Sequence, residues 1–282
     1  MGPSENSPHI FDASVERVDK DTVRISWETH REDLQVSIYH GESPETVQRN
    51  APLYRIKGQT AVEISGLNSD MPHYFEIAPD KGSARVISER RLPLQGAANF
   101  RDLGGYETTN GQRVRWGRVF RSDHLSNLTA RDIDFLQRMK VHCVCDFRTS
   151  TEARRRPDRF PGDGPGEHVH LPTDNLKSDP TDLFKKLERG DTSWLTKEFL
   201  IEGYILNIEK FAPVWAEVFK RLADPAHLPL VFHCTGGKDR AGTCAALILL
   251  ALGVSEKTVI YDHGLSNIYI RDVVKGIYAK FD

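Results

Sequence analysis

The sequence predicts an α/β domain preceded by a small all-β sandwich, and three observations predict it. Residues 9–90 carry seven short β-prone runs separated by turn residues. Leu228 to Gly253 reads as a buried strand, a tight glycine-bearing loop and an apolar helix, in that order. From Asp179 to Ala223 apolar residues recur at helical spacing.

Composition bounds the rest. A chain of 282 residues exceeds one average domain, so two are expected. The 38 basic and 40 acidic residues leave a formal charge of −2, which makes no general case for a nucleic-acid partner. A hydrophobic content of 39% suffices for a core in each half. No run is long and apolar enough to read as a transmembrane helix. The opening MGPSENSPHI lacks the apolar core of a signal peptide, and Asn6 breaks the myristoylation pattern, so residues 1–8 read as a disordered lead. Cytoplasmic and secreted locations both stay open.

In the first domain the runs are Ser14 to Val18, Thr22 to Glu28, Leu34 to His40, Pro52 to Ile56, Ala61 to Ile64, Tyr74 to Ala78 and Ser83 to Ser88. Their spacing over residues 9–90 is that of a β-sandwich. The run ending at Trp27, then Gly66-Leu67 and Tyr74, resembles a fibronectin type III domain, which makes Trp27, Leu67 and Tyr74 core residues. No nucleophile with a base and no paired carboxylates appear here. Two roles are open to the module: docking a partner, or walling one side of a catalytic cleft. Ser88 to Leu94, with Pro93, reads as the linker to a second domain over 95–282.

That second domain opens with a hairpin turned by Asn110-Gly111, expected to be type I′. Thr129 caps a helix running to Lys140, and Val141 to Phe147 is a buried strand. The four cysteines, Cys143, Cys145, Cys234 and Cys244, all lie in this half, on strands and a helix, which is no disulfide framework. His142 beside Cys143 and Cys145 hints at zinc, but strand alternation puts His142 on the face opposite the two thiols. Arg154, Arg155, Arg156 and Arg159 form the most basic patch, read as a solvated helix face before an anionic head-group contact. Pro213 predicts a helix boundary near Ala212.

The chemistry concentrates at Cys234-x5-Arg240. Five residues between a strand end and a helix N-terminus can turn successive backbone N–H groups inward, making a nest for a tetrahedral dianion. Gly236 and Gly237 allow the angles such a nest demands. The helix terminus, Lys238 and Arg240 are expected to lower the thiol pKa from about 8.5 to roughly 3.5–7.5. Arg240 offers a planar fork to two equatorial oxygens, and Cys234 attacks phosphorus in line.

The run from His233 to Gly242 resembles the HCxxGKDRTG loop of cysteine-dependent phosphatases, particularly the lid-bearing bacterial tyrosine/lipid phosphatases. Asn99 to Tyr106 is similar to that family's NFRDxGG motif, Gly117 to Ser122 to GRLFRS, Asp146 to Glu152 to DLRSxxE, and Asp262 to Asn267 to DYLLSN, with His263 and Gly264 as departures. The resemblance implies a central, mostly parallel sheet flanked by helices, with inserted helices over the pocket as a lid; a packed core helix pair is the alternative for them, and the two readings can hold for different parts. It implies phosphomonoester hydrolysis on phosphotyrosine, with phosphoinositides next, and needs no metal or other cofactor. Thr235, Gly236, Gly237, Lys238, Asp239 and Arg240 bind phosphate, with His233, Arg101, Asp102 and Arg148 in support. Asn99, Arg101, Asp102 and Arg121 tie the entry loop to the phosphate loop. His168 to Asp174 resembles the stretch that ends in the general acid, so Asp174 is the first candidate and Asp239, beside the dianion, the second. Where the family carries a hydroxyl after the arginine, this chain has Ala241. A phosphate-binding adaptor and a rhodanese-like sulfur carrier are the readings from other classes.

Overall fold

The computed structural model describes residues 10–160, 166–173, 186, 189–271 and 275. The expected lead lies outside them. The chain forms two compact units: residues up to Pro93 with Asp102–Gly105 and Arg113–Arg118, and Leu94–Arg101 with Tyr106–Gln112 and everything from Val119 on.

The first unit is a sandwich of two antiparallel sheets. One holds β1 (Asp12–Asp19), β2 (Thr22–Glu28) and β5 (Ala61–Ile64) in the order β1-β2-β5. The other holds β3 (Gln35–Gly41), β4 (Tyr54–Lys57), β6 (Tyr74–Pro79) and β7 (Arg85–Ser88) in the order β4-β3-β6-β7. Side chains alternate across a strand, so Val23, Ile25 and Trp27 turn inward together and meet Val36, Ile38, Phe75 and Ile77 of the facing sheet. Trp27 and Tyr74 are buried as the sequence led us to expect, and Leu67 packs against the core from its edge. Arg90 lies 4.5 Å over the Trp116 ring and donates to the Asp102 carbonyl at 2.6 Å, while Trp116 Nε1 donates to the Val86 carbonyl at 3.0 Å. The segments around Asp102 and Trp116 thus belong with the sandwich by their bonding.

The second unit is built on a five-stranded sheet. The strands are β8 (Arg101–Asp102), β9 (Val119–Ser122), β10 (Cys143–Asp146), β11 (Glu167–His170) and β12 (Leu230–His233), ordered β11-β10-β12-β9-β8. The contacts β11/β10, β10/β12 and β12/β9 are all parallel. Every residue of β10 and β12 is buried, the continuous apolar reading of a strand covered on both faces. The helices are α1 (Ala130–Arg138), α2 (Ser150–Arg155), α3 (Lys197–Lys210), α4 (Ala212–Ala223), α5 (Arg240–Ala251) and α6 (Glu256–Tyr269). Thr129 caps α1 with a full capping box to Asp132. Pro213 falls in the first turn of α4, and the break from α3 comes at Phe211, as predicted.

One expectation is corrected. Gly111 adopts φ +79° but Asn110 stays at negative φ, so the turn is not type I′. Gly111 N donates to Thr108 O at 2.9 Å and Thr108 N to Gln112 O at 2.9 Å, the three-residue loop that ends in a left-handed glycine. The two helices of the inserted pair differ. In α4, Trp215 and Val218 are core, but α3 buries Gly203 and Asn207 while Leu200, Ile201, Ile205 and Ile208 are exposed. Of this pair, α4 is the packed core helix. Among the described residues no helix is long and apolar enough to cross a membrane.

Candidate active site

Register brings Asp146, His233 and Ser122 abreast at the carboxyl edge of the sheet, where ligands bind in open α/β folds. Cys234 leaves that edge from the central strand and is nearly buried, 3% exposed. The loop then runs Thr235 to Asp239, and Arg240 begins α5.

The loop's carbonyls are held from outside. His124 N donates to the Thr235 carbonyl (3.2 Å), Asn99 Nδ2 to that of Gly236 (3.1 Å), and Arg121 Nη2 to those of Gly237 (2.7 Å) and Lys238 (3.2 Å). A trans peptide points its N–H opposite to its C=O. With the carbonyls of residues 235–238 all engaged, the N–H groups of residues 236–239 face away from those partners. Gly237 sits at φ +66°, and a Cβ there would lie 2.6 Å from Asp123 N. Gly236 is different: its φ is ordinary and a Cβ would meet nothing within 4 Å. Of the two glycines expected to shape the nest, Gly237 alone takes the left-handed angle.

Arg121 is itself fixed by Asp262, Nη1 to Oδ2 at 2.6 Å, and Arg101 donates to the Asp262 carbonyl at 2.9 Å. Tyr106 adds its hydroxyl to Asp262 Oδ1 at 2.9 Å. Burial and the neighbouring Arg121 push Arg101 down to about 10, and Asp262 works against them. Asn99 and Arg121 thus bond the loop's own carbonyls, and Arg101 joins them through Asp262. Asp102 does not: it accepts Gly104 N and Gly117 N, both at 2.7 Å, and burial pushes its carboxyl up to about 6.

Arg240 meets Glu152 as a fork, Nη1 to Oε2 at 2.7 Å and Nη2 to Oε1 at 2.8 Å. Thr235 Oγ1 also donates to Glu152 Oε1, at 2.6 Å. Burial alone would raise the Glu152 carboxyl; the fork, the Thr235 hydroxyl and Thr149 N outweigh it and bring it to about 2. Beneath the loop, Arg148 Nη2 bridges Asp146 and Asp158, 2.7 Å from each, and His233 Nε2 lies 3.1 Å from Asp158. His168 Nε2 reaches the same Asp158 oxygen at 3.2 Å, and that bond pushes its pKa up. Asp146, Asp158, His168 and His233 bring metal-ligating atoms within 4.8 Å of one another, but the Arg148 guanidinium already supplies the positive charge between the two carboxylates. Cys143 and Cys145 share a face, with thiols 3.9 Å apart, as alternation predicts.

Asp239 Oδ1 accepts a 2.5 Å hydrogen bond from the Tyr204 hydroxyl of α3. Thr243, the nearest hydroxyl after Ala241 in the chain, donates to the Asp239 carbonyl at 3.1 Å and so is engaged within its own helix. Asp174, the first candidate acid, lies outside the described residues. Residue reasoning did not single out Glu152, Asp158, Asp262 and Tyr204. Glu152 was within reach, since Thr149-x-x-Glu152 is a capping-box signal.

A cysteine delivered by the central parallel strand into an arginine-closed loop at the sheet's carboxyl edge defines an α/β phosphatase domain. The chain belongs to the tyrosine phosphatase family, whose model matches residues 92–282. It is 33% identical over 202 residues to the triple specificity protein phosphatase PtpB of Mycobacterium tuberculosis, covering 64% of this chain and 70% of the relative. It is 31% identical over 194 residues to a Cupriavidus necator protein named as a tyrosine-protein phosphatase, covering 68% of each. Among solved structures, the core catalytic domain of the PP-IP phosphatase SIW14 of S. cerevisiae aligns with 63% of this chain and 91% of its own, at 13% identity and a TM-score of 0.32.

Proposed function

We propose that this chain hydrolyses phosphomonoesters through a cysteinyl-phosphate on Cys234, with protein phosphotyrosine as its principal substrate. The observation that carries the reading is the set of outward-held carbonyls between Cys234 and Arg240, which leaves amide donors to bind the phosphoryl oxygens. The Cys234 sulfur attacks phosphorus; the S–P bond forms as the ester P–O bond breaks. Asp239, the candidate acid inside the loop, gives its proton to the leaving oxygen, with Asp174 the other candidate. Water then attacks phosphorus, returns that proton to Asp239, and releases phosphate and the sulfur. Arg240, braced by Glu152, gathers the charge of the transferring group.

Ala241 offers the departing sulfur no hydroxyl, and Thr243 is engaged elsewhere. Breakdown of the intermediate is therefore the slow step. Phosphoinositides are the second substrate class: Lys238 stands in the loop, Arg154, Arg155, Arg156 and Arg159 are exposed, and a relative is named for triple specificity. We read the N-terminal sandwich as fibronectin type III-like, with docking of a partner or of the catalytic domain as its role.

The test is a panel of phosphopeptides, inositol lipids and a chromogenic aryl phosphate. Phosphotyrosine peptides should lead, with a pre-steady-state burst near one equivalent, and Cys234→Ser should lower activity on the order of 10⁴-fold or more. A Cys234→Ser chain that retains activity refutes the covalent reading. A linear, fast progress curve refutes the slow second step.

A further inference from the structure

Asp239 stands where a helix N-cap would, yet its side chain caps nothing in α5. Among the described residues its carboxyl takes a single hydrogen bond, from Tyr204. That phenol comes from α3, a helix separate from the loop. Its ring meets His263 edge-on, with centroids 6.2 Å apart and planes at 72°. His263 in turn lies over Gly242, where a Cβ would fall 2.7 Å from Nδ1, so the missing side chain is what lets the imidazole, and the phenol against it, sit this close to the loop. Burial and the neighbouring Asp239 push the Tyr204 pKa up, which keeps the phenol a proton donor.

Resting on the mechanism above, we propose that Tyr204 is a positioning residue for the leaving-group proton. A donor fixed on Oδ1 makes that oxygen the carbonyl-like one and leaves Oδ2 to carry the acid proton. As the P–O bond breaks and the S–P bond forms, the Oδ2 proton passes to the ester oxygen. Negative charge then appears on Asp239, where the phenol bond strengthens. When water cleaves the S–P bond, its proton returns to Oδ2. An otherwise unheld carboxyl would spend most of its time misaligned, and alignment is worth a large share of general-acid catalysis.

The inference is tested on the full chain with Tyr204→Phe, whose ring keeps the edge contact to His263. Because breakdown of the intermediate limits kcat, the readout is kcat/KM, which reports its formation. Phenyl phosphate needs a protonated leaving group far more than 4-nitrophenyl phosphate does. We expect kcat/KM to fall about tenfold on phenyl phosphate and less than about twofold on 4-nitrophenyl phosphate, a part of the roughly 10²–10⁴ a positioned acid supplies. Asp239→Asn should show the same bias, and adding Tyr204→Phe to it should cost nothing more. Equal losses on both substrates, no loss on either, or full additivity with Asp239→Asn would each overturn the proposal. Those outcomes leave the covalent mechanism standing, since only the Cys234→Ser result bears on it.

Discussion

Glu152 does two things with one carboxylate. Its Oε2 accepts Thr149 N at 2.8 Å, closing the capping box of α2, and it also meets Arg240 Nη1 at 2.7 Å. The first bond spans three residues and is readable from the chain; the second spans 88 and is not. Because the folded value of about 2 lies below the ordinary glutamate value, the pairing stabilises the fold fully above about 4.3 and is lost as pH falls toward 2. Glu152→Gln should therefore unfold at lower urea than the parent at pH 7, with the gap narrower at pH 3 and closing toward pH 2. A gap unchanged between those pH values would show that the carboxylate's charge is not what matters. At the same scale, the placement of Cys234 after the strand and of Arg240 at the start of the helix was legible from the local pattern.

At the scale of elements, the phosphate loop is shaped by one glycine rather than two. Gly237→Ala would force a Cβ against Asp123 N at a left-handed angle, whereas Gly236→Ala would enter open space. We expect Gly237→Ala to lose roughly 1–3 kcal/mol of stability and most activity, and Gly236→Ala to melt within about a degree of the parent. Thermal melts of the two variants decide it, and equal melting temperatures would contradict the assignment. Propensity could not separate these neighbours, because both are glycine and only the approach of Ser122 and Asp123 distinguishes them. The same limit applied to α3: helical spacing of apolar residues predicts a helix, but Leu200, Ile201, Ile205 and Ile208 are exposed, because the direction a helix faces is set by what packs on it.

For the whole molecule, the boundary between units does not follow the chain. Asp102–Gly105 and Arg113–Arg118 lie beyond the linker yet group with the sandwich through Arg90, Trp116 and Asp102 itself. A chain cut to residues 94–282 should melt at a lower temperature and be cleaved by protease near Arg113 to Arg118, where the full chain resists. Equal stability would refute this. What the sequence determined by itself was local: the strands Thr22–Glu28 and Ala61–Ile64, both found at the predicted bounds, the capped α1, and the strand–loop–helix around Cys234. Those features depend on neighbours within a few residues, where period and propensity act. Only the tertiary structure decided that Arg121 and Asn99 turn the loop's peptides, that Glu152 holds Arg240, and that Tyr204 reaches Asp239. Each of these joins residues 35 or more positions apart, and such pairings follow from how the sheet and helices stack rather than from any short pattern.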